Sequence, residues 1–257
     1  MNRIDRLFQS DKQNILSIYF TAGYPNLNDT VDIIKKLDEL GVDLIEIGIP
    51  FSDPLADGPV IQQSSTKAIA NGMNLPFLLN QLKDIRKVTD MPLVLMGYLN
   101  PVYSFGMDNF ISACEQIGID GIIIPDLPLR EYEISFKARM DEAGLYNIFL
   151  VSPQTETERI RIIENISKGF IYLVSSASVT GAKEGIKDAQ IAYFERIREL
   201  NLQVPTVIGF GISNAATFRT ACTYASGAII GSAFIDVLSK PGNLNDNISL
   251  FIKEILY

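Results

Sequence analysis

The most constraining feature of the sequence is an alternation of short apolar segments with longer amphipathic ones, repeated about eight times along the chain. The short segments are apolar at nearly every position, which is typical of parallel strands buried on both faces. The segments between them repeat apolar residues at helical spacing, and several end at a glycine. We therefore expect an α/β fold, with a parallel sheet covered on both sides by helices.

The predicted elements follow in chain order, and a short extra helix precedes the first strand. Strands are expected at 15–21, 44–49, 92–98, 119–124, 146–151, 170–174, 206–208 and 228–230. Helices are expected at 2–10, 28–41, 60–71, 75–88, 107–117, 129–143, 155–166, 188–200, from 213 onward, and at 246–256. Eight strand–helix units in 257 residues, without a linker, favour a (β/α)8 TIM barrel that forms a single domain over residues 1–257. A doubly wound sheet is the competing architecture.

Composition excludes several classes of function. The net charge of -8 argues against nucleic acid or an anionic membrane as a partner. Histidine is absent, which excludes histidine triads and histidine-ligated zinc, and we expect no metal site. Cys114 and Cys222 occur without a CxxC motif and are expected to be buried thiols in a reducing compartment. The N-terminus has no apolar targeting segment and no run reaches transmembrane length, so we expect a soluble cytoplasmic protein.

One segment carries two carboxylates in unlike settings, the run E-I-G-I-P-F-S-D-P-L-A-D-G-P from Glu46 to Pro59. Glu46 belongs to a predicted strand and shares a face with Leu44 and Gly48, whereas Asp57 lies on the following loop. Two carboxylates in different environments can serve as acid and base in one site. The alternative is a structural Glu46 bonded to nearby backbone amides, followed by an ordinary polar loop.

The predicted barrel collects further side chains at the C-terminal ends of its strands, where barrel enzymes keep their active sites. The polar and aromatic residues expected on this rim are Tyr19, Thr21, Glu46, Tyr98, Asp126 and Tyr172. Tyr172 either lines the site or merely packs in the barrel mouth. Asp126 is more readily explained as a turn residue, and Lys183 as a solvated loop lysine.

Glycine-rich strand ends predict a phosphate site on the same rim. Gly209-Phe210-Gly211 follows the seventh predicted strand, Gly231-Ser232 follows the eighth, and Gly181 lies in the preceding loop. Glycine lets phosphate oxygens approach backbone N–H groups, and barrels commonly bind phosphate at these two loops. A plain tight turn is the alternative for an isolated G-x-G motif.

Together these motifs resemble the tryptophan synthase alpha subunit family along the whole chain. The run from Glu46 to Pro59 is similar to the family's signature, and the other matching segments are Tyr172-Leu173-Val174-Ser175, Val179-Thr180-Gly181, Gly209-Phe210-Gly211 and Gly231-Ser232. The resemblance implies a (β/α)8 barrel that cleaves indole-3-glycerol phosphate to indole and glyceraldehyde 3-phosphate without a cofactor. It also implies an alpha2-beta2 heterotetramer, in which pyridoxal phosphate belongs only to the beta subunit that receives the indole.

The resemblance also assigns roles by position. It implies that Glu46 is the general acid–base and Asp57 the second catalytic carboxylate. The residues that it places around the substrate are Tyr19, Thr21, Tyr98, Tyr172, Thr180, Gly181, Gly209, Phe210, Gly211, Gly231 and Ser232. Ser176 stands where some members carry arginine, which affects the closing contacts of that loop. The loop from Ser52 to Asp57 is expected to contact the beta subunit.

Three other functions remain open from the sequence. A standalone lyase that releases free indole would use the same chemistry without a partner. A mainly non-catalytic activator of the beta subunit is disfavoured, because both carboxylates are present. Another phosphate-binding barrel enzyme, such as an isomerase or indole-glycerol-phosphate synthase, is also disfavoured, since the synthase needs lysines that the predicted strand ends lack.

Overall fold

A computed structural model describes residues 1–54, 57–174, 188–209 and 211–257. Its strands are β1 (Ile15–Thr21), β2 (Leu44–Gly48), β3 (Leu93–Met96), β4 (Gly121–Ile123), β5 (Tyr146–Asn147), β6 (Leu150–Val151), β7 (Ile171–Val174), β8 (Thr206–Gly209) and β9 (Gly227–Ile230). They form one sheet in the order β5-β4-β3-β2-β1-β9-β8-β7-β6, with parallel pairing throughout. The expected parallel sheet is confirmed.

The sheet closes through β5 and β6, which are the two halves of the single strand predicted at 146–151. β5 pairs with β4, and β6 pairs with β7. Between the halves, Ile148 N donates to Ile122 O and Tyr172 N donates to Phe149 O, each at 2.9 Å. One extended segment therefore bridges the two ends of the sheet and makes an eight-stranded barrel. Because β1 also pairs with β9, the doubly wound alternative is wrong.

Helices surround the barrel at most of the predicted places. They are α1 (Arg3–Phe8), α2 (Asp29–Glu39), α3 (Pro59–Ala70), α4 (Leu75–Leu82), α5 (Leu99–Phe105), α6 (Met107–Ile117), α7 (Leu129–Glu131), α8 (Lys137–Glu142), α9 (Thr157–Ile166), α10 (Asp188–Glu199), α11 (Ala215–Cys222), α12 (Ser232–Leu238) and α13 (Leu244–Leu256). A wider π-turn, Tyr132–Phe136, joins α7 to α8. None of the helices in the described ranges is long and apolar enough to cross a membrane.

Three helical predictions need correction, and tertiary contacts explain two of them. The helix expected at 75–88 ends at Leu82 and is followed by a 3-10 turn, from which Arg86 donates to Gly118 O and Met91 O at 2.7 and 2.6 Å. The short helix α5 was not predicted, because its first N–H, that of Leu99, is capped by a distant side chain, Asp126, at 2.9 Å. The predicted helices also omit α12, which begins at Ser232 directly after the loop that follows β9.

The extra N-terminal helix closes the end of the barrel opposite the predicted site. Ile4 on α1 is fully buried, and a Cβ atom on Gly169 would lie only 2.8 Å from its side chain. Asn2 accepts from Ile4 N at 2.8 Å and donates to Asp120 O at 2.8 Å. Among the described residues, one hydrophobic cluster extends from Ile4 to Ile255.

The two cysteines differ in exposure. Cys114 is buried as expected, whereas Cys222 is partly exposed, and both thiols are free. Cys222 is the last residue of α11 and packs against the core while it stays partly exposed.

Candidate active site

Glu46 lies inside the barrel, on the middle of β2. It is opposite Tyr19 in the parallel pairing of β1 with β2 and is fully buried. Its Oε1 atom accepts a hydrogen bond from Ser17 Oγ at 3.1 Å, while Oε2 has no hydrogen-bond partner among the described residues. No backbone amide in those parts of the chain donates to this carboxyl group, so the structural alternative for Glu46 gains no support.

Asp57 approaches the same space from the loop after β2. Its side chain is buried, and Oδ2 accepts from the Tyr98 hydroxyl at 3.1 Å. The Asp57 backbone is held as well, since Gln62 Nε2 donates to its carbonyl at 2.9 Å. Tyr98 directly precedes α5, and its ring packs against that of Phe51 with centroids 5.3 Å apart. The second carboxylate is thus fixed by residues that follow two neighbouring strands.

The two carboxylates differ in proton affinity. Burial raises the pKa of Glu46 to about 8, against the smaller opposing effect of the Ser17 hydrogen bond. Burial raises the pKa of Asp57 only to about 6, and the Tyr98 hydrogen bond opposes it. At neutral pH, Glu46 is therefore mainly protonated and Asp57 mainly ionised. This is the arrangement that an acid and a charge-stabilising group require.

Two buried tyrosines line the interior beside these carboxylates, and each lies over a glycine of the next strand. A Cβ atom on Gly48 would be 2.2 Å from the Tyr19 hydroxyl, and one on Gly209 would be 2.1 Å from that of Tyr172. Burial raises the pKa of both tyrosines, and the charges of Asp57 and Glu46 raise it further, which places all four groups around one space. Gly209 therefore has a packing role that its G-x-G motif did not suggest.

The other predicted rim residues that the structure describes occupy varied positions. Thr21 is buried, and its hydroxyl lies 2.6 Å from that of Ser64 on α3. Gly231 directly precedes α12, which begins at Ser232, and a Cβ atom on Gly231 would lie 3.4 Å from the Tyr19 ring. Gly211 has a left-handed backbone with φ of 79°, which favours glycine.

Several of the residues considered in the sequence analysis lie outside the described residues, and their roles stay predictions from the sequence. They are Thr180, Gly181 and Phe210, together with Ser176, Lys183 and the loop residues Leu55 and Ala56. Asp126, by contrast, is described: it lies in a turn, as expected, and its carboxylate also accepts from Leu99 N at the start of α5.

Sequence reasoning missed Ser17, the residue that touches Glu46. A signal was present, because Ser17 is the polar residue in the buried run from Ile15 to Tyr19 and shares a strand face with Tyr19. Its partner could not be identified without the register of β1 against β2.

Comparison with known proteins gives consistent results at the levels of sequence and structure. The model of the family described as "Tryptophan synthase alpha chain" matches residues 6–255. The tryptophan synthase alpha chain of Flavobacterium psychrophilum is 56% identical over 255 residues, covering 99% of this chain and 100% of that protein. The one from Flavobacterium johnsoniae is 57% identical with the same coverage.

Solved structures extend the similarity to the fold. A tryptophan synthase structure from Mycobacterium tuberculosis superposes with a TM-score of 0.89 at 30% identity, covering 99% of this chain and 96% of the other. Tryptophan synthase subunit alpha from Legionella pneumophila superposes with a TM-score of 0.86 at 32% identity, covering 99% and 97%. These likenesses agree with the (β/α)8 barrel described above.

Proposed function

Because the chain belongs to the tryptophan synthase alpha chain family, we propose that it cleaves indole-3-glycerol phosphate to indole and glyceraldehyde 3-phosphate. The observation that carries this proposal is the pair of buried carboxylates, Glu46 and Asp57, whose pKa values of about 8 and about 6 lie on opposite sides of neutrality. The reaction is a retro-aldol cleavage. It needs a proton donor, a base and a stabilised ring cation, all of which the two groups supply.

Glu46 is the proposed proton donor and acceptor. It protonates C3 of the indole ring, which allows the bond between C3 and the glycerol chain to break. The electron pair of that bond returns to the ring, and the hydroxyl proton of the glycerol chain passes to Glu46 as the aldehyde forms. One carboxyl group thus serves both steps and ends in the protonation state in which it began.

Asp57 is the proposed stabiliser of the ring cation. Protonation at C3 places positive charge on the ring nitrogen, and an ionised carboxylate that accepts from this N–H stabilises the charge where it develops. The Tyr98 hydroxyl at 3.1 Å supports this role, since it favours the ionised form of Asp57 and fixes the side chain. Tyr19 and Tyr172, both neutral, would form walls beside the indole ring.

The direct test of the proposed function is release of indole. The purified chain is incubated with indole-3-glycerol phosphate, alone and with its beta subunit, and both products are quantified. We expect indole and glyceraldehyde 3-phosphate in equal amounts. If no cleavage occurs with the beta subunit present, the proposal is wrong and the chain's role would be that of a non-catalytic activator.

The phosphate group is proposed to bind where β8 and β9 end, at Gly211, Gly231 and Ser232, with Gly181 from the preceding loop. The glycines on this side of the rim leave space for oxygens to reach backbone N–H groups. The start of α12 at Ser232 adds a hydroxyl to the same place. Thr180, Gly209 and Phe210 are proposed neighbours of this site.

Gly231→Asp should weaken binding of glycerol 3-phosphate by at least about tenfold, because a second negative charge would face the phosphate. Gly231→Asn adds nearly the same bulk without charge and is the matched control. Titration calorimetry on both variants separates charge from bulk. Equal affinity in Gly231→Asp and Gly231→Asn would place the phosphate elsewhere.

The proposed partner is a tryptophan synthase beta subunit in an alpha2-beta2 heterotetramer, and two exposed apolar side chains are candidates for its contact. Ile134 and Tyr103 are 71% and 46% exposed. Tyr103 contacts residues on either side of Ile134 in the chain, Glu131 through its hydroxyl at 3.3 Å and Phe136 through its ring. We call Tyr103, on α5, and Ile134, in the π-turn that follows α7, the α5–α7 patch. Exposed apolar side chains mark interaction sites when they form a contiguous patch, and the variant below tests these two for that role.

The α5–α7 patch connects directly to the site. α5 begins at Leu99, immediately after Tyr98, whose hydroxyl holds Asp57. A partner that contacts the α5–α7 patch and the loop from Ser52 to Asp57 would therefore press on the element that positions the second carboxylate. This geometry supports a beta subunit that raises the cleavage rate.

Ile134→Asp should weaken association with the beta subunit and reduce its activation of cleavage by about tenfold or more, since it places a charge in an apolar contact. Leu250→Asp is the matched control. Leu250 is 62% exposed, but it lies on α13, which packs on α2, α11 and α12 rather than near α5. Association is measured by titration of the beta subunit. Equal effects of the two variants would exclude the α5–α7 patch from the interface.

The remaining assignments stay predictions. The proposed chemistry assigns no cofactor to this chain, because proton transfer and charge stabilisation are supplied by carboxylates, and pyridoxal phosphate is expected only on the beta subunit. A cytoplasmic location is likewise proposed from the sequence and from the family.

A further inference from the structure

Ser17 is a buried hydroxyl in an apolar strand. It faces Leu44 across the pairing with β2 and Ile229 across the pairing with β9, and it is fully buried. A hydroxyl in such a place costs stability unless it has a hydrogen-bond partner. Its partner is Oε1 of Glu46, at 3.1 Å.

This hydrogen bond determines which oxygen of Glu46 carries the proton. A neutral carboxyl group has one O–H and one carbonyl oxygen, and the carbonyl oxygen is the better acceptor. When Ser17 donates to Oε1, the proton of Glu46 belongs on Oε2. That atom has no hydrogen-bond partner within the described ranges and is free to donate to a substrate.

We propose that Ser17 is the positioning residue of Glu46, donating to Oε1 so that the transferable proton sits on Oε2, facing the substrate. This inference rests on the proposed function, in which Glu46 protonates indole C3. Ser17 does not touch the reacting atoms. It acts through Glu46, by fixing the orientation of the carboxyl group and by stabilising its ionised form.

The effect of Ser17 on the protonation of Glu46 can be separated from the effects of the other groups around that carboxyl. The titratable groups that face this carboxyl are Tyr19 on β1, Tyr172 on β7 and Asp57 after β2, with Tyr98 bonded to Asp57. Burial raises the pKa of both Tyr19 and Tyr172, so that they remain neutral. Among these groups of the described residues, Asp57 is the one that carries charge beside Glu46, and Ser17→Ala leaves Asp57 in place.

Ser17→Ala should therefore change rate and pH dependence together. We expect kcat for cleavage to fall by about tenfold, since a hydrogen bond to a charged group is lost. KM should change little. Loss of a donor to the carboxylate raises the pKa of Glu46, so the fall in rate at high pH should move upward by about half a pH unit or more. Ser17→Thr keeps the hydroxyl and should restore the wild-type pH profile.

The control is Ser65→Ala. It also removes a buried serine hydroxyl, but one that lies on α3. It should leave the pH profile unchanged. If Ser17→Ala lowers kcat without moving the pH profile, Ser17 has only a packing role and the inference is wrong. The inference is also wrong if Ser17→Ala has the same kcat and the same pH profile as wild type.

A readout independent of activity separates this inference from the proposed function. The Glu46 carboxyl is titrated by NMR on protein labelled with 13C at glutamate carboxyl carbons, with Glu46→Gln identifying the signal. Ser17→Ala should raise this pKa relative to wild type and to Ser65→Ala. If the pKa rises but wild type cleaves no substrate, the proposed function fails while the link between Ser17 and Glu46 stands. An unchanged pKa contradicts the inference.

Discussion

Glu46→Gln is expected to abolish cleavage of indole-3-glycerol phosphate while substrate still binds. The amide keeps the shape of the side chain and can still accept from Ser17 Oγ, but it has no proton to transfer. Loss of general acid–base catalysis costs about 10²–10⁴-fold, and a group that serves two steps should lie at or beyond the upper end. Single-turnover kinetics and substrate binding are measured on the same variant.

Glu39→Gln is the matched control for this substitution. Glu39 forms an exposed ion pair with Lys36 on α2, away from the barrel interior, and its removal should leave the rate unchanged. Cleavage by Glu46→Gln within a few-fold of the wild-type rate would return Glu46 to a structural role.

Glu46→Gln should also make the folded protein more stable than wild type at high pH. The pKa of Glu46 is raised from 4.5 to about 8 in the folded protein, so between these values the native state binds more protons than the unfolded chain. The stability that the protonated carboxyl contributes is complete below pH 4.5 and is lost as pH rises towards about 8. Glu46→Gln has no such loss, so its advantage over wild type should grow to the order of a few kcal/mol. Chemical denaturation at several pH values measures this difference.

Asp57→Asn should lower the cleavage rate by about 10²-fold, with little effect on substrate affinity. The amide keeps the size of the side chain and can still accept from the indole N–H, but it has lost the charge that stabilises the ring cation. The residual activity should therefore exceed that of Glu46→Gln. Asp53→Asn, an exposed position on the same loop, is the control and should retain the wild-type rate when both variants are assayed without the beta subunit.

The pH dependence assigns the effect of Asp57 to its charge. Ionisation of Asp57, with a pKa of about 6, should produce a rise in rate with pH in wild type and in Asp53→Asn. Asp57→Asn should lack this rise, when the rate is measured at saturating substrate. A rise of equal size in both variants would show that another group is responsible.

Much of the fold could be predicted from the sequence, because the decisive signals are local. Each of these signals spans only a few residues. Examples are the apolar runs that form β1 and β2 and the glycines at which helices end. α5 was missed because its cap, Asp126, is distant in sequence. The fifth strand was predicted as one element, whereas the structure divides it into β5 and β6, which pair with β4 and β7.

The sequence identifies candidate site residues but not the interactions between them. Glu46 and Asp57 were identifiable because their motif is long and places one on a strand and the other on a loop. The Ser17 hydrogen bond, the Tyr98 hydrogen bond and the packing of Tyr172 on Gly209 depend on strand register. A sequence read alone does not supply that register. Thr180, Gly181 and Phe210 remain predictions from sequence.

The most direct test of the central claim is single-turnover cleavage of indole-3-glycerol phosphate by wild type, Glu46→Gln and Asp57→Asn from about pH 5 to about pH 9. In wild type we expect a bell-shaped profile, rising near pH 6 as Asp57 ionises and falling near pH 8 as Glu46 loses its proton. Glu46→Gln should be inactive throughout, and Asp57→Asn should keep only the fall at high pH. A wild-type rate that does not change across this range, together with substantial cleavage by Glu46→Gln, would contradict the assignment of proton transfer to Glu46.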